Sequence, residues 1–384
     1  MPEIIIATIM RPYGETGVQT HINCFREFLD SQSIKNRLIT PFSYYKWLVY
    51  PIFAVRKVLD KLSGPLSVWW YRYWHAYFLR LALQQQLPLV KQGIIYAQCP
   101  VSAAAALTAR SSRNLPVILI VHFNISQADE WAGKGYLQTD GGLYRSIRKF
   151  EAEVLPKLDG LVFVSQFMHT ELTKRIPAIA KVPYAIIPNF LPDPGLTANQ
   201  LIDADLISIG SLENRKNQQY ALEILAALHK QGLMLRLTIV GEGPDRTKLE
   251  QLCAVLQIQD YVVFRGFVKN AAALIDNHIA CIHTATLENL PVSLLEALAR
   301  GRPVFALPVG GISEILGEAN SVGLALPTDD ANAAALVIAN AIKDKNWLHR
   351  TGITARQRFL DKYQSSVTAK HLLNFLSNPR HSIN

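Results

Sequence analysis

Short apolar runs recur along nearly the whole chain, each followed by a stretch of helical character, and this alternation limits the folds open to it. Glu3–Ile9, Asn36–Thr40, Ile94–Ala97, Val117–Val121, Gly160–Val164 and Tyr184–Ile187 read as strands. Strands that alternate with helices predict a doubly wound parallel sheet. A second series follows: Leu206–Gly210, Leu235–Val240, Val262–Gly266, Ala280–Thr284, Pro303–Leu307 and Gly323–Leu326. Between the two series lies Ile187-PNFLPDPG, whose prolines interrupt regular structure and mark a linker or hinge. Two α/β domains are therefore expected, and 384 residues is indeed long for one core. Beyond Leu326 the pattern is helical, over Asn332–Lys343, Trp347–Tyr363 and Ser366–Leu376, with fraying expected after Ser377.

Composition excludes several classes. Apolar residues make up 49% of the chain and no low-complexity tract interrupts them, so a well-buried globular protein is expected. Met1-PEIIIATI lacks a basic start and is too short for a signal-peptide core. No uncharged apolar run approaches the ~18 residues of a membrane span. Cys24, Cys99, Cys253 and Cys281 are scattered, without paired spacing, which points to buried free thiols in a reducing cytoplasm and against structural zinc. The net charge of +9 is uneven: between Lys35 and Gln92 nine Lys and Arg face a single acid, Asp60. Thirteen aromatic residues interleave with them. Such a stretch, residues 35–91, suits an anionic membrane surface, where rings sit at headgroup level. It equally suits a helix pair packing its rings on the domain core. No nucleic-acid motif accompanies the charge, so nucleic acid is not expected as a partner.

The chemistry concentrates between Ala280 and Gly317. Pro291 has no N–H to donate, which places it in the first turn of a helix, with Asn289 as a plausible cap and Leu294, Leu295 and Leu298 on one face. Glu288 then stands in a loop at the carboxyl end of a strand, and Glu296 inside the helix. Ligands of open α/β sheets bind beyond those strand ends, and a helix start offers N–H groups to phosphate. Gly310-Gly311 lets backbone approach a ligand closely. A carboxylate accepts from two neighbouring hydroxyls, which fits a ribose or hexose; a pair of solvated surface acids is the plainer reading.

Other loops at strand ends carry further candidates. Gly14, Gly17, Thr16 and Thr20 follow the first strand, without a G-x-G-x-x-G fingerprint. His122 follows Val117–Val121. Gly210-SLENRKNQ carries Arg215 and Lys216, two cations in a loop at a strand's carboxyl end, and Val240-GEGP forms a turn. Asp203-Ala204-Asp205 precedes a strand and reads as loop and strand start rather than as a metal pair.

Glu288, Glu296, Ala297, Gly301, Pro303 and Gly310-Gly311-Ile312-Ser313-Glu314 together resemble the E-x7-E signature of retaining GT-B glycosyltransferases, family 4, also called group 1. Other motifs agree in order to about Leu326. The resemblance implies two Rossmann-like domains around an interdomain cleft: an acceptor domain over 1–187, a donor domain over 188–360, and a final helix within 361–384 crossing back. It implies a hexosyltransferase that uses a nucleotide-diphosphate sugar, with neither metal nor other cofactor. By the same resemblance, Glu288, His122 and Lys216 are catalytic. Gly17, Arg215, Lys216, Asn289, Leu290, Glu296, Gly310 and Gly311 contact the donor, with Glu296 on the ribose and the amides of Asn289 and Leu290 on phosphate. Val240-GEGP and Phe264-RGFV would line the nucleotide. Two departures stand out: Phe190 replaces a Gly of the family linker, and Ser211 stands where the family has an Arg, a charge that Arg215 would supply instead.

The acceptor implied is a lipid-linked glycan or polysaccharide in cell-surface glycan synthesis, at the inner face of a membrane. Three rivals remain at this level. A nucleotide-sugar epimerase of the same fold would need no acceptor. A glycoside hydrolase would use Glu288 and Glu296 as its acid and base. A non-catalytic nucleotide or membrane-surface binder would hold donor without transferring sugar.

Overall fold

The computed structural model describes residues 2–14, 16–110, 114–196 and 204–379; Asp203 and the last five residues, among those expected to fray, lie outside them. The chain forms two compact units, Met1–Asn189 with Thr368–Asn384, and Phe190–Val367.

The first unit is built on β1 (Glu3–Ala7), β2 (Asn36–Ile39), β3 (Gly93–Ala97), β4 (Val117–Val121), β5 (Gly160–Phe163) and β6 (Tyr184–Ile186). They form a parallel sheet in the order β2-β1-β3-β4-β5-β6. The second unit carries β7 (Ala204–Ile209), β8 (Leu237–Val240), β9 (Val262–Gly266), β10 (His278–His283), β11 (Val304–Ala306) and β12 (Gly323–Ala325), ordered β12-β11-β10-β7-β8-β9, again all parallel. Every expected strand is present, with ends that differ by two residues or fewer. The reason is burial. Ile4, Ile5 and Ile6 are all fully covered, so successive side chains on both faces of β1 lose contact with water, and each stabilises by about 1.5–3 kcal/mol. A run of that kind has one stable place, between two helical layers.

Helix starts follow from short polar side chains. Ser165 Oγ accepts from Met168 N at 3.1 Å and starts the helix Gln166–Arg175. Thr16 and Gln19 form a reciprocal cap at the helix Gly17–Ser31. Asp205 lies within β7 and accepts from Arg236 N at 2.7 Å, which fits the strand-start reading. Residues from Thr368 onward group with the first unit, where the Phe375 ring packs beside Gly160 of β5. All four cysteines are buried and free.

The basic, aromatic stretch forms the helices Lys46–Ala54, Arg56–Leu62 and Gly64–Gln86. Some of its rings pack on the core and others face water. Phe42 and Phe78 are buried with Val49, and Phe53, Trp74 and Tyr77 pack against them. Trp47, Tyr50, Trp69 and Tyr73 are exposed. Among the described residues no helix is long and apolar enough to cross a membrane.

Candidate functional site

In the second sheet the chain runs outward from β7 to β8 and β9, then returns to the other side of β7 with β10. Strand order therefore reverses between β7 and β10, and a crevice outside the carboxyl ends of two such strands is where open α/β sheets bind ligands. The loop after β7 holds Arg215 and Lys216; the loop after β10 holds Glu288. Residues 72 positions apart are thus neighbours because their strands are.

Backbone bonds lock the two loops together. Thr286 N donates to Arg215 O at 2.9 Å, and Thr284 Oγ1 donates to Asn217 O at 2.8 Å. Asn217 closes the 3-10 turn Asn214–Lys216 with φ of +50°, a left-handed conformation that Asn tolerates, and delivers the chain into the helix Gln218–Lys230. Lys216 Nζ donates to Glu288 Oε1. Arg215 Nη1 lies 3.7 Å from the same oxygen, while its Nε pairs with Glu213 at 2.6 Å. His283 Nε2, at the end of β10, is 3.4 Å from Glu288 Oε1.

Burial by itself pushes the Glu288 carboxyl up, yet the Lys216 ammonium, His283 and the Arg215 guanidinium outweigh it and hold the group well below the usual carboxylate range. Burial pulls His283 down, aided by the two cations and opposed by Glu288, so the imidazole is neutral at physiological pH. The result is one buried carboxylate, ionised and fixed, with two cations beside it. His283 went unnoticed in the sequence, although like His122 it stands at a strand's carboxyl end.

The neighbouring turn is sterically closed. At Gly241, with φ of +140°, a Cβ would lie 1.9 Å from Gly210 O; at Gly243 it would lie 2.1 Å from Leu212 O. These two glycines let the loop after β8 run against the loop after β7. Gly241→Ala is expected to lower unfolding free energy by at least about 1–3 kcal/mol, since backbone must move, and a denaturant midpoint matching wild type would refute the steric account.

Two details of the segment after β10 differ from expectation. The helix runs Val292–Ala299 with Pro291 at its N-cap (φ −69°, ψ 125°), so Pro291 is outside the first turn and Asn289 is not the cap. A proline followed by extended ψ satisfies the same missing-donor constraint one residue earlier. The helix-start amides are then those of Val292 and Ser293, while Asn289 and Leu290 form the buried bend before them. Glu296 is half-buried in the second turn of that helix. Burial, with the Glu296 carboxylate adding to it, pushes the Cys281 thiol up to about 12. Gly310 adopts φ of +58° and Gly311 caps the short helix Ile312–Leu316.

In the first unit, Gly17 is the exposed first residue of its helix, and the preceding loop is tied by Gln19 Nε2 donating to Arg11 O and Tyr13 O. His122 follows β4. Burial takes its pKa down to about 3, and its Nε2 has no hydrogen-bond partner among the described residues. Its ring meets His21 edge-on at 4.8 Å, and His21 Nε2 lies 3.0 Å from Tyr96 Oη. The imidazole is thus uncharged, with one buried nitrogen that no described residue engages.

Comparison with known proteins divides the chain at the same place. Residues 16–193 match the family described as Glycosyltransferase Family 4, and residues 199–358 match Glycosyl transferases group 1. WcaL of Escherichia coli (strain K12), named for colanic acid biosynthesis, is 33% identical over 181 residues, 45% of this chain and 44% of that protein. The amylovoran biosynthesis glycosyltransferase AmsK of Erwinia amylovora is 26% identical over 179 residues, 44% of each. The match thus spans less than half the length of these curated relatives. Anabaena HepE, solved with UDP and glucose, superposes with a TM-score of 0.72 at 15% identity, covering 98% of this chain and all of that one, a likeness of fold.

Proposed function

Because the chain belongs to the group 1, family 4 glycosyltransferases, we propose that it moves a sugar, with retention of anomeric configuration, from a nucleotide-diphosphate donor to a glycan acceptor. The observation that carries this reading is the buried, ionised Glu288 held beside Lys216 and Arg215 at the strand-order reversal of the second sheet. A diphosphate leaving group gains negative charge as the glycosidic bond breaks, and fixed cations stabilise that charge without reorganising. Lys216, with Arg215, takes that role. Glu288 holds the sugar's hydroxyls and supports positive charge growing at the anomeric carbon. The half-buried Glu296 binds the ribose hydroxyls. Helix-start and glycine amides at Val292, Ser293, Gly310 and Gly311 face phosphate, and Asn289 and Leu290 shape the bend that leads there. His122 offers its unused nitrogen to the sugar, and Gly17 allows close approach of the loop after β1.

WcaL and AmsK are named for the synthesis of surface polysaccharides, which supports a cell-surface glycan as the product. A lipid-linked acceptor at the cytoplasmic face of a membrane is the form we propose. Neither metal nor cofactor has a part in the scheme, since Lys216 and Arg215 supply the positive charge.

A thermal-shift screen of sugar nucleotides tests donor binding. A true donor at 100 times its dissociation constant is expected to stabilise the fold by about 2.7 kcal/mol. Incubation with that donor alone should return it unchanged; conversion to an isomeric sugar nucleotide would make the protein an epimerase and overturn transfer.

A further inference from the structure

Of the three helices between Lys46 and Gln86, the first and third cover part of the first unit's core with one set of rings and leave another in water. In Lys46–Ala54, Trp47 (73% exposed) and Tyr50 point outward; in Arg56–Leu62, so do Val58 (59%) and Leu62 (73%). In Gly64–Gln86 the outward residues are Leu66, Trp69 and Tyr73, spaced i, i+3, i+7 along one face, with the Trp69 and Tyr73 rings stacked at 5.4 Å. Surface rings scattered singly need no explanation, but apolar residues on three successive helices do.

The charge beside them is one-signed. Lys46, Lys57 and Lys61 are exposed and make no ion pair among the described residues. The only acid in this stretch, Asp60, is already engaged: Arg56 Nε lies 3.6 Å away and Ser67 Oγ donates to it. Its single charge is thus offset by Arg56, and the face stays net positive.

We propose that this face is a docking surface for an anionic lipid bilayer, with the indole and phenol rings at headgroup depth and the three lysines against lipid phosphates. Rings with a polar tip fit the interfacial zone, and lysines fit a negative surface. A protein partner of acidic character would meet the lysines but leave Val58, Leu62 and Leu66 without a matching apolar layer. The inference rests on the reading above only in that a lipid-linked acceptor gives the enzyme a reason to be at a membrane.

Co-sedimentation of the full chain with vesicles decides it. Vesicles containing phosphatidylglycerol should bind, phosphatidylcholine vesicles should bind weakly, and 1 M salt should release the protein. Lys46→Gln, Lys57→Gln and Lys61→Gln combined should weaken anionic-vesicle binding roughly 100-fold, each lysine contributing about one part in three of the logarithm. Trp47→Ser, Leu62→Ser and Trp69→Ser combined should weaken binding to both vesicle types. Both variants should keep the wild-type melting temperature, because every altered side chain is exposed. Failure of the wild type to bind anionic vesicles, or binding that both variants retain, would overturn the docking surface. A dimer in sedimentation velocity that the same serine substitutions dissolve would also overturn it, assigning the face to a second copy. Donor turnover with a soluble acceptor separates the two readings: turnover without vesicle binding sinks only the docking surface, and vesicle binding without turnover sinks only the transferase.

Discussion

Glu288→Gln is expected to lower turnover by about 10²–10³-fold while the donor's nucleoside diphosphate binds as well as before or more tightly. The substitution keeps shape and removes charge. In the wild type the Lys216 ammonium donates to Glu288, and Arg215 stands 3.7 Å from the same oxygen. A glutamine leaves both cations without that carboxylate, so they are freer to meet a diphosphate. Loss of rate with retained nucleotide affinity is the signature of a group that acts on the reacting sugar rather than on the nucleotide. Single-turnover rates and calorimetric titration with the nucleoside diphosphate of the donor found by the thermal-shift screen measure the two halves; near-normal turnover would remove Glu288 from its role. Acid stability gives an independent check. The folded-state pKa of Glu288 is depressed, so its stabilisation is fully present above the ordinary glutamate value of ~4.3 and is lost as pH falls through the folded value. The variant should therefore lose less stability than wild type over that acid window.

Much of this was readable in the residues, and for identifiable reasons. Strands such as Val117–Val121 are short, wholly apolar and buried on both faces, so the sequence leaves them no other environment. The placement of Glu288 and Lys216 at strand ends followed from the same runs. Their mutual contact did not, because it depends on β10 lying beside β7 rather than beside β9, and strand order is a tertiary property. His283 was missed for the same reason: a histidine ending a strand has no meaning until its neighbours are known. The Pro291 error is local and smaller. Its missing N–H suits both the N-cap and the first turn, and only ψ decides between them. In the segment 35–91 composition alone could not say which rings face water, since its thirteen aromatic residues supply both a core and a surface.

Lys216→Ala should also cost about 10²–10³-fold in turnover, but with a change that Glu288→Gln cannot produce: the acid limb of the pH–rate profile should move to higher pH. Glu288 is buried, and burial alone drives its carboxyl up; Lys216 is the strongest of the groups that hold it down. Arg215 cannot take over, because at 3.7 Å it is the more distant cation and its Nε is committed to Glu213 at 2.6 Å. His283 is neutral and offers no full charge. Without the ammonium, Glu288 therefore protonates at higher pH than in the wild type, and the active, ionised enzyme is lost earlier on acidification. Removing one partner of a largely buried pair also destabilises the fold, by up to about 3–5 kcal/mol, so rates are compared below the variant's own melting temperature. Lys216→Met, which restores the bulk of the stem without its charge, should reproduce both the rate loss and the shifted limb. A lowered rate with an unmoved acid limb in both variants would mean that Lys216 does not set the ionisation of Glu288. The pair would then be two independent side chains rather than the coupled site proposed above.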